Sequence, residues 1–400
     1  MGVDVGVSVR GVPQVDLAIS GNDAVALAMK QINPDVVAAY PITPQTLAME
    51  KFSEYVHNGE VDTELICVES EHSAMSACIG ACAAGGRVMT STAANGLAFM
   101  FEVVYIAASY RLPIVMAVMN RAFGGPINIH CDHTDTMGVR DSGWIQLFAE
   151  NVQEVYDNTI QAVRIAEHPD VRLPVISAFD GFILSHATER VSTLGDDDVK
   201  RFVGPYKAYY PLLDFRNPVT WGPFDLYDYY FEHKRQVVEA MRNAYKVIKE
   251  VGREYEKLSG RSYGLVEGYN LEDADKVLVI IGSTAGTARQ VVESSDGLGL
   301  LKIRVFRPFP HREVVEALSG RDVVAVFDRS DSFGALGGPL FQEVRNALYD
   351  AEEKPKVIDY VYGLGGRDIR VEEIRWVAEK LERVRLGEKV DVVNYLGVRE

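Results

Sequence analysis

The sequence predicts an α/β protein built as two successive units, each a parallel sheet with helices on both faces. Two observations carry this. Short apolar runs alternate with helical patterns up to residue 180 and again from residue 276. The runs are apolar at consecutive positions rather than at every second one, the pattern of strands covered on both sides. Small polar residues and glycines collect where several runs give way to helices, and open α/β sheets bind ligands at those carboxyl ends.

Four hundred residues, 47% apolar and 24% charged, describe a soluble globular chain long enough for two or three domains. No 18-residue apolar run occurs, so no membrane span is expected. Met1-Gly2-Val3-Asp4 lacks a signal-peptide pattern. Cys67, Cys78, Cys82 and Cys131 are too few for a disulfide framework and lack iron–sulfur spacing, so the cytoplasm is expected. Cys78 and Cys82, four apart among small residues, read as buried packing. The net charge of −16 argues against nucleic acid and against an acidic docking partner.

Residues 1–14 read as a flexible lead-in or an arm needing a partner surface. Ser20-Gly21-Asn22-Asp23 caps a helix whose apolar face is Ala24, Leu27, Ala28 and Ile32. A strand over 36–40 stops at Pro41-Ile42-Thr43-Pro44, where two prolines forbid helix and central strand. Such a rigid loop can hold the Thr43 hydroxyl still, or be a plain turn. The run over 64–68 is a strand, and Glu71 stands where a helix follows it. Glu69 and Glu71 either serve a ligand or simply favour the helix N-terminus, worth about 0.3–1 kcal/mol.

A strand over 87–92 leads into Ala93-Ala94-Asn95-Gly96-Leu97, which opens another helix. A third strand over 112–118 is followed by Asn120-Arg121. An arginine there is costly to bury without an anion and well shaped to grip a carboxylate. The alternative is an ion pair with a glutamate of the same chain. Residues 123–143 form a long polar loop, read as a lid. Its His130-Cys131-Asp132-His133 lacks zinc-ligand spacing and a second group, so no metal site is assigned. A helix over 151–167 and a last strand over 173–180 complete the first unit.

From about 190 to 230 the chain becomes an irregular connector rich in tyrosine and proline, expected to wrap a domain surface, and a charged helix follows to about 258. The domains are therefore drawn as 1–258 and 259–400. The second carries strands over 276–281, 301–305, 323–327 and 357–362. Gly282-Ser283-Thr284 resembles a phosphate-binding turn but lacks the Walker lysine and the dinucleotide spacing, and reads as a plain strand-to-helix turn.

Seven segments coincide, in order, with one known family. They are Tyr40-Pro41-Ile42-Thr43-Pro44-Gln45; Glu69-Ser70-Glu71-His72-Ser73-Ala74; Ala94-Asn95-Gly96-Leu97; Leu112-Pro113-Ile114-Val115 with Asn120-Arg121; Arg140-Asp141-Ser142-Gly143-Trp144; Arg307-Pro308-Phe309-Pro310; and Gly363-Leu364-Gly365-Gly366-Arg367-Asp368. The chain thereby resembles the α subunits of the 2-oxoacid:ferredoxin oxidoreductases, most of all those acting on pyruvate. The resemblance implies a pyrimidine-binding thiamine diphosphate domain followed by a domain like the C-terminal one of transketolase. It implies that Glu71 hydrogen-bonds N1′ of the aminopyrimidine and favours its imino form. It places Thr43 on the 2-oxoacid, Arg121 on its carboxylate, and Pro41, Asn95 and Gly96 against the cofactor. Asn95 stands where many relatives carry Gln or Ser.

The implied reaction is reversible, coenzyme A-dependent oxidative decarboxylation of pyruvate to acetyl-CoA, with electrons passing to ferredoxin. No Gly-Asp-Gly diphosphate motif is present. The cofactor would therefore be shared with a β subunit carrying Mg2+, with γ and ferredoxin-like δ subunits beside it and the [4Fe-4S] clusters on partner chains. The rivals are the same chemistry on a branched-chain or aryl acid, a non-catalytic scaffold, and a transketolase-like transferase.

Overall fold

The computed structural model describes residues 11–399. The amino-terminal half contains β1 (Val15–Ser20), β2 (Val36–Ala39), β3 (Glu64–Cys67), β4 (Val88–Thr92), β5 (Val115–Asn120), β6 (Ile145–Phe148), β7 (Val175–Asp180) and β8 (Thr188–Thr193). The carboxyl-terminal half adds β9 (Val266–Tyr269), β10 (Lys276–Ile280), β11 (Leu298–Ile303), β12 (Val305–Arg307), β13 (Val323–Asp328), β14 (Lys356–Tyr362) and β15 (Val393–Leu396). The first large sheet runs β12-β6-β7-β5-β4-β2-β3 and is parallel except for β12. The second runs β15-β14-β13-β10-β11-β9 and is parallel except for β9.

Most of the expected buried runs are buried, but the run over 64–68, expected to be a buried strand, is an edge strand (β3), exposed at Glu64 and Cys67 and half-buried between them. Every residue of β4, β5 and β7 is interior. Helices begin and end where the local chemistry dictates. Ser20 caps Gly21–Ile32 by accepting from the Asp23 amide, and Asn33 ends it in the left-handed region at φ 51°. Ser70 caps Glu71–Ala84 by accepting from the Ser73 amide. On that helix Cys78 and Cys82 are buried, and burial pushes both thiols up to about 12. They are packing groups, as the small-residue spacing implied.

Several strands differ from the sequence reading. β6 lies just after the presumed lid, β1 pairs antiparallel with β8 as a separate ribbon, and β9 and β15 form the edges of the second sheet. β12 follows the long helix Tyr230–Ser259, yet it joins the first sheet through β6. The strand over 173–180 is thus not that sheet's last contribution. The expected lead-in falls partly outside the described residues, at 1–10. Of the remainder, the Val12 amide donates to the Leu258 carbonyl at 2.9 Å and Gln14 Nε2 to the Ser259 carbonyl at 2.9 Å, so this stretch lies on its own chain.

The two halves are joined by buried charges. Asp180, at the end of β7, meets Arg329 Nη1 at 2.9 Å and His133 Nε2 at 2.7 Å. Burial raises the Asp180 pKa, but Arg329 and His133 together hold it well below the usual carboxylate range. Lys302 sits among Glu150, Glu154 and Glu267 at 2.8, 2.6 and 2.5 Å. The 190–230 connector lies over the first half, with the Leu212 amide on the Ala83 carbonyl and Tyr209 against Arg172. It keeps Phe215, Phe224 and Tyr227 outward.

Candidate active site

Consecutive strands lie side by side as β3, β2, β4, β5, and the chain changes direction across the sheet after β3. The crevice outside the carboxyl ends at such a reversal is the ligand position of open α/β sheets. Thr43 follows β2, Glu71 follows β3, Asn95 and Gly96 follow β4, and Arg121 follows β5.

Glu71 is the first residue of its helix and is only 7% exposed. Among the described residues, no group hydrogen-bonds its carboxylate. Gly96 faces it. A Cβ on Gly96 would stand 2.8 Å from Glu71 Oε1 and 2.5 Å from Thr92 Oγ1. The Thr92 hydroxyl is itself buried without a partner. The turn that places Gly96 forces Ala94 into the left-handed region at φ 38°.

Arg121 is 7% exposed. Its Nη1 donates to the Thr43 carbonyl and its Nε to the Asn128 carbonyl, each at 2.9 Å. No carboxylate of the described residues lies within ion-pair distance of the guanidinium, so the internal glutamate partner considered above does not exist among them. Burial lowers the Arg121 pKa, and the charge of Asp135 works against that shift. Thr43 is exposed, on a loop pinned from behind. Gln45 accepts from the Ile42 amide at 3.2 Å and donates to Ser91 Oγ at 2.6 Å, while Asn22 Nδ2 donates to the Pro44 carbonyl at 3.1 Å.

Asp135 ties the set together and was not singled out in the sequence. Its Oδ2 accepts from the Ala94 amide at 3.0 Å and the Arg121 amide at 2.9 Å. Its Oδ1 accepts from Asn120 Nδ2 and the Thr136 amide, both at 2.7 Å. Burial raises this carboxyl to about 6, and the donors act against that rise. Asn95 Oδ1 accepts from the Gly124 amide at 3.0 Å and so holds the loop after Arg121. Pro41 lines an adjoining groove with Met49 and Cys67. The loop expected to be a lid is exposed over 123–130, apart from half-buried Asn128, and again at Gly138 and Asp141. Residues 131–137 are interior apart from half-buried Thr134.

The polar groups left without partners are a carboxylate, a hydroxyl and the outer edge of a guanidinium, beside a glycine whose missing side chain leaves room. That set fits a flat nitrogen heterocycle and a small carboxylate. It does not fit a metal ion. Cys131, His133 and Asp180 converge, as do Glu150, Glu154 and Glu267, but each group already surrounds or adjoins a side-chain cation, Arg329 or Lys302.

Comparison with known proteins identifies the family. Residues 27–253 match the family described as pyruvate flavodoxin/ferredoxin oxidoreductase, thiamine diphosphate-binding, and residues 274–374 match pyruvate:ferredoxin oxidoreductase core domain II. The chain is 58% identical to pyruvate synthase subunit PorA of Thermotoga maritima over 96% of its length and 98% of the relative's. It is 46% identical to the PorA subunit of Methanocaldococcus jannaschii over 96% and 98%. It is 44% identical to ketoisovalerate oxidoreductase subunit VorA of Pyrococcus horikoshii over 93% and 95%. The fold is shared with the 2-oxoglutarate:ferredoxin oxidoreductase of Magnetococcus marinus, at TM-score 0.69 and 19% identity, covering 92% of this chain and 65% of that one.

Proposed function

Because the chain belongs to the pyruvate:ferredoxin oxidoreductase family, we propose that it is the α subunit of the complex that converts pyruvate and coenzyme A to acetyl-CoA and CO2, with electrons leaving to ferredoxin. The reading is carried by Arg121, a nearly buried guanidinium with no ionic partner among the described residues, anchored to the Thr43 loop. A buried cation without a direct ionic partner is costly and gains from an anion that completes it, and the carboxylate of a 2-oxoacid has the planar shape its fork accepts. Retained Thr43 and Arg121 suit a monocarboxylate. Identity to a pyruvate synthase subunit, 58% against 44% for the ketoisovalerate relative, favours pyruvate over a branched acid.

Thiamine diphosphate supplies, when bound, the nucleophilic carbon and the electron sink for decarboxylation. This chain's residues act around it. Glu71 holds the proton at the pyrimidine N1′, in a pocket that excludes water and strengthens that bond. Gly96 leaves space for the ring beside Glu71, and Asn95 fixes the loop over it. Arg121 orients the substrate carboxylate while the Thr43 hydroxyl meets its oxo group. We assign residues 1–258 to the pyrimidine-binding domain and 259–400 to the transketolase-like domain. The diphosphate, Mg2+ and [4Fe-4S] clusters fall to β, γ and δ partners in a cytoplasmic assembly. Phe99, Phe101 and Ile127 stand exposed on the helices and loop that carry this half-site, as an apolar rim awaiting another subunit would.

The test is coenzyme A-dependent reduction of a low-potential dye by the purified complex with a panel of 2-oxoacids. Pyruvate should be preferred. Arg121→Ala should raise KM for it by about 30- to 100-fold, the worth of a charge-assisted contact, with cofactor content unchanged. Loss of cofactor instead would show that Arg121 is misplaced.

A further inference from the structure

Resting on the role given to Arg121 above, we propose that Asp135 is a positioning residue of this site: it balances the Arg121 charge through the backbone, leaving the guanidinium fork free for the substrate, and its shared oxygen fixes Arg121 relative to the turn that faces Glu71. The geometry makes both halves of this concrete. Nε and Nη1 already donate to carbonyls, so the free part of the fork is its outer edge, and a carboxylate placed there would neutralise the arginine and occupy the donors that substrate needs. Asp135 instead contacts the Arg121 amide at 2.9 Å, while the side chain is steered by the neutral carbonyls of Thr43 and Asn128. The charge is thus felt without being spent on a direct contact, and Asp135 opposes the effect of burial on Arg121. The same oxygen takes the Ala94 amide at 3.0 Å, in the strained turn at φ 38° that carries Asn95 and Gly96. One atom therefore sets the separation of two elements contributed by neighbouring strands, one facing the cofactor and one the substrate.

Two substitutions separate charge from geometry. Asp135→Asn keeps an oxygen between the two amides and removes the charge. Its new NH2 group finds an acceptor in Asn120 Oδ1, which is buried without a partner until the Asn120 amide turns over, and the bond given up is the one from the Thr136 amide. Like charges no longer oppose an incoming anion, so oxamate, an inert carboxylate analogue of pyruvate, should bind about three- to tenfold more tightly in equilibrium titration, and KM should fall in step. Asp135→Ser removes the bridge between the turns. Its kcat should fall at least about thirtyfold below that of the asparagine variant, while oxamate still binds. The proposal is overturned if D135N binds oxamate no more tightly than the unmodified complex, or if D135S turns over as fast as D135N. If D135S does not assemble, the D135N titration decides alone. Arg121→Ala distinguishes the underlying reading: oxamate affinity unchanged there would refute the role of Arg121 itself, whereas affinity lost there and unmoved in D135N refutes only the part given to Asp135.

Discussion

Gly96→Ala should disable this site while leaving the protein folded. The inserted methyl would lie 2.8 Å from Glu71 Oε1 and 2.5 Å from Thr92 Oγ1. These fall about 0.6 and about 0.9 Å short of the 3.4 Å at which ordinary contact begins. Thr92 is β-branched and wholly buried in a central strand, so it yields least. Glu71 is the end of a flexible side chain with no protein partner, so it yields most. The Glu71 overlap is therefore relieved cheaply, the Thr92 overlap costs about 1–3 kcal/mol, and alanine inside the helix Ala94–Phe99 offsets about 1 kcal/mol of that through its propensity over glycine. The unfolding temperature of the complex should move by less than about 4 °C. Catalysis should not escape so lightly, because displacing a reacting group by near 1 Å costs roughly 10²-fold, or about 2.7 kcal/mol of transition-state stabilisation. We expect kcat in the dye-reduction assay to fall about 30- to 100-fold, with KM for pyruvate changed far less, since Arg121 is untouched. A variant with kcat within about threefold of the parent would refute the placement of Glu71 as the group that serves the cofactor.

Glu71→Gln should abolish most turnover and leave assembly and thermal stability intact, since the carboxylate has no protein hydrogen bond to lose; near-normal activity would sink its assignment. Arg329→Ala strips the ion pair from buried Asp180 and should cost about 3–5 kcal/mol, read as a lowered unfolding temperature; an unchanged one would mean the junction does not hold the halves together. Asp135 gives a pH signature of known sign. Its folded pKa of about 6 lies above the model-peptide value of 3.8, so the folded state binds this proton more tightly. Its contribution is full below about pH 3.8 and is lost as pH rises through 6, about 3 kcal/mol for a shift near two units. The stability of the parent relative to D135N should fall by about that amount from pH 4 to pH 7, and a flat difference would rule out the buried, proton-retaining carboxyl.

What the sequence made legible follows from range. β4, β5 and β7 announce themselves because burial on both faces leaves no polar position to interrupt them. The placement of Glu71, Thr43 and Arg121 just beyond strand ends is legible because each follows such a run directly. β6 is four residues long and contains buried Gln146, whose Nε2 donates to the Thr136 carbonyl ten residues earlier, at 2.9 Å. No local pattern contains that partner. β1 and β8 pair across some 170 residues, and β12 reaches β6 from beyond the long helix. Pairings of that separation are set by the assembled surface.

The same limit explains why Asp135 was passed over and Arg121 was left with two readings. An aspartate in a polar loop is ordinary until its loop folds inward, and only then does it meet amides from two different strand ends. Whether an arginine is paired depends on which of many acids the fold brings near it. Here the fold brings one near its backbone and none to its fork. That arrangement is costly for stability, because a fully paired arginine and a less crowded aspartate would both be easier to bury. The cost makes sense if the missing contact is made by substrate: three of the polar groups that find no partner among the described residues (at Glu71, at Thr92 and at the edge of Arg121) lie around one crevice, and they differ in kind as the ring and the carboxylate they would meet differ. A fold selected for stability alone would have closed them separately, each with its nearest neighbour.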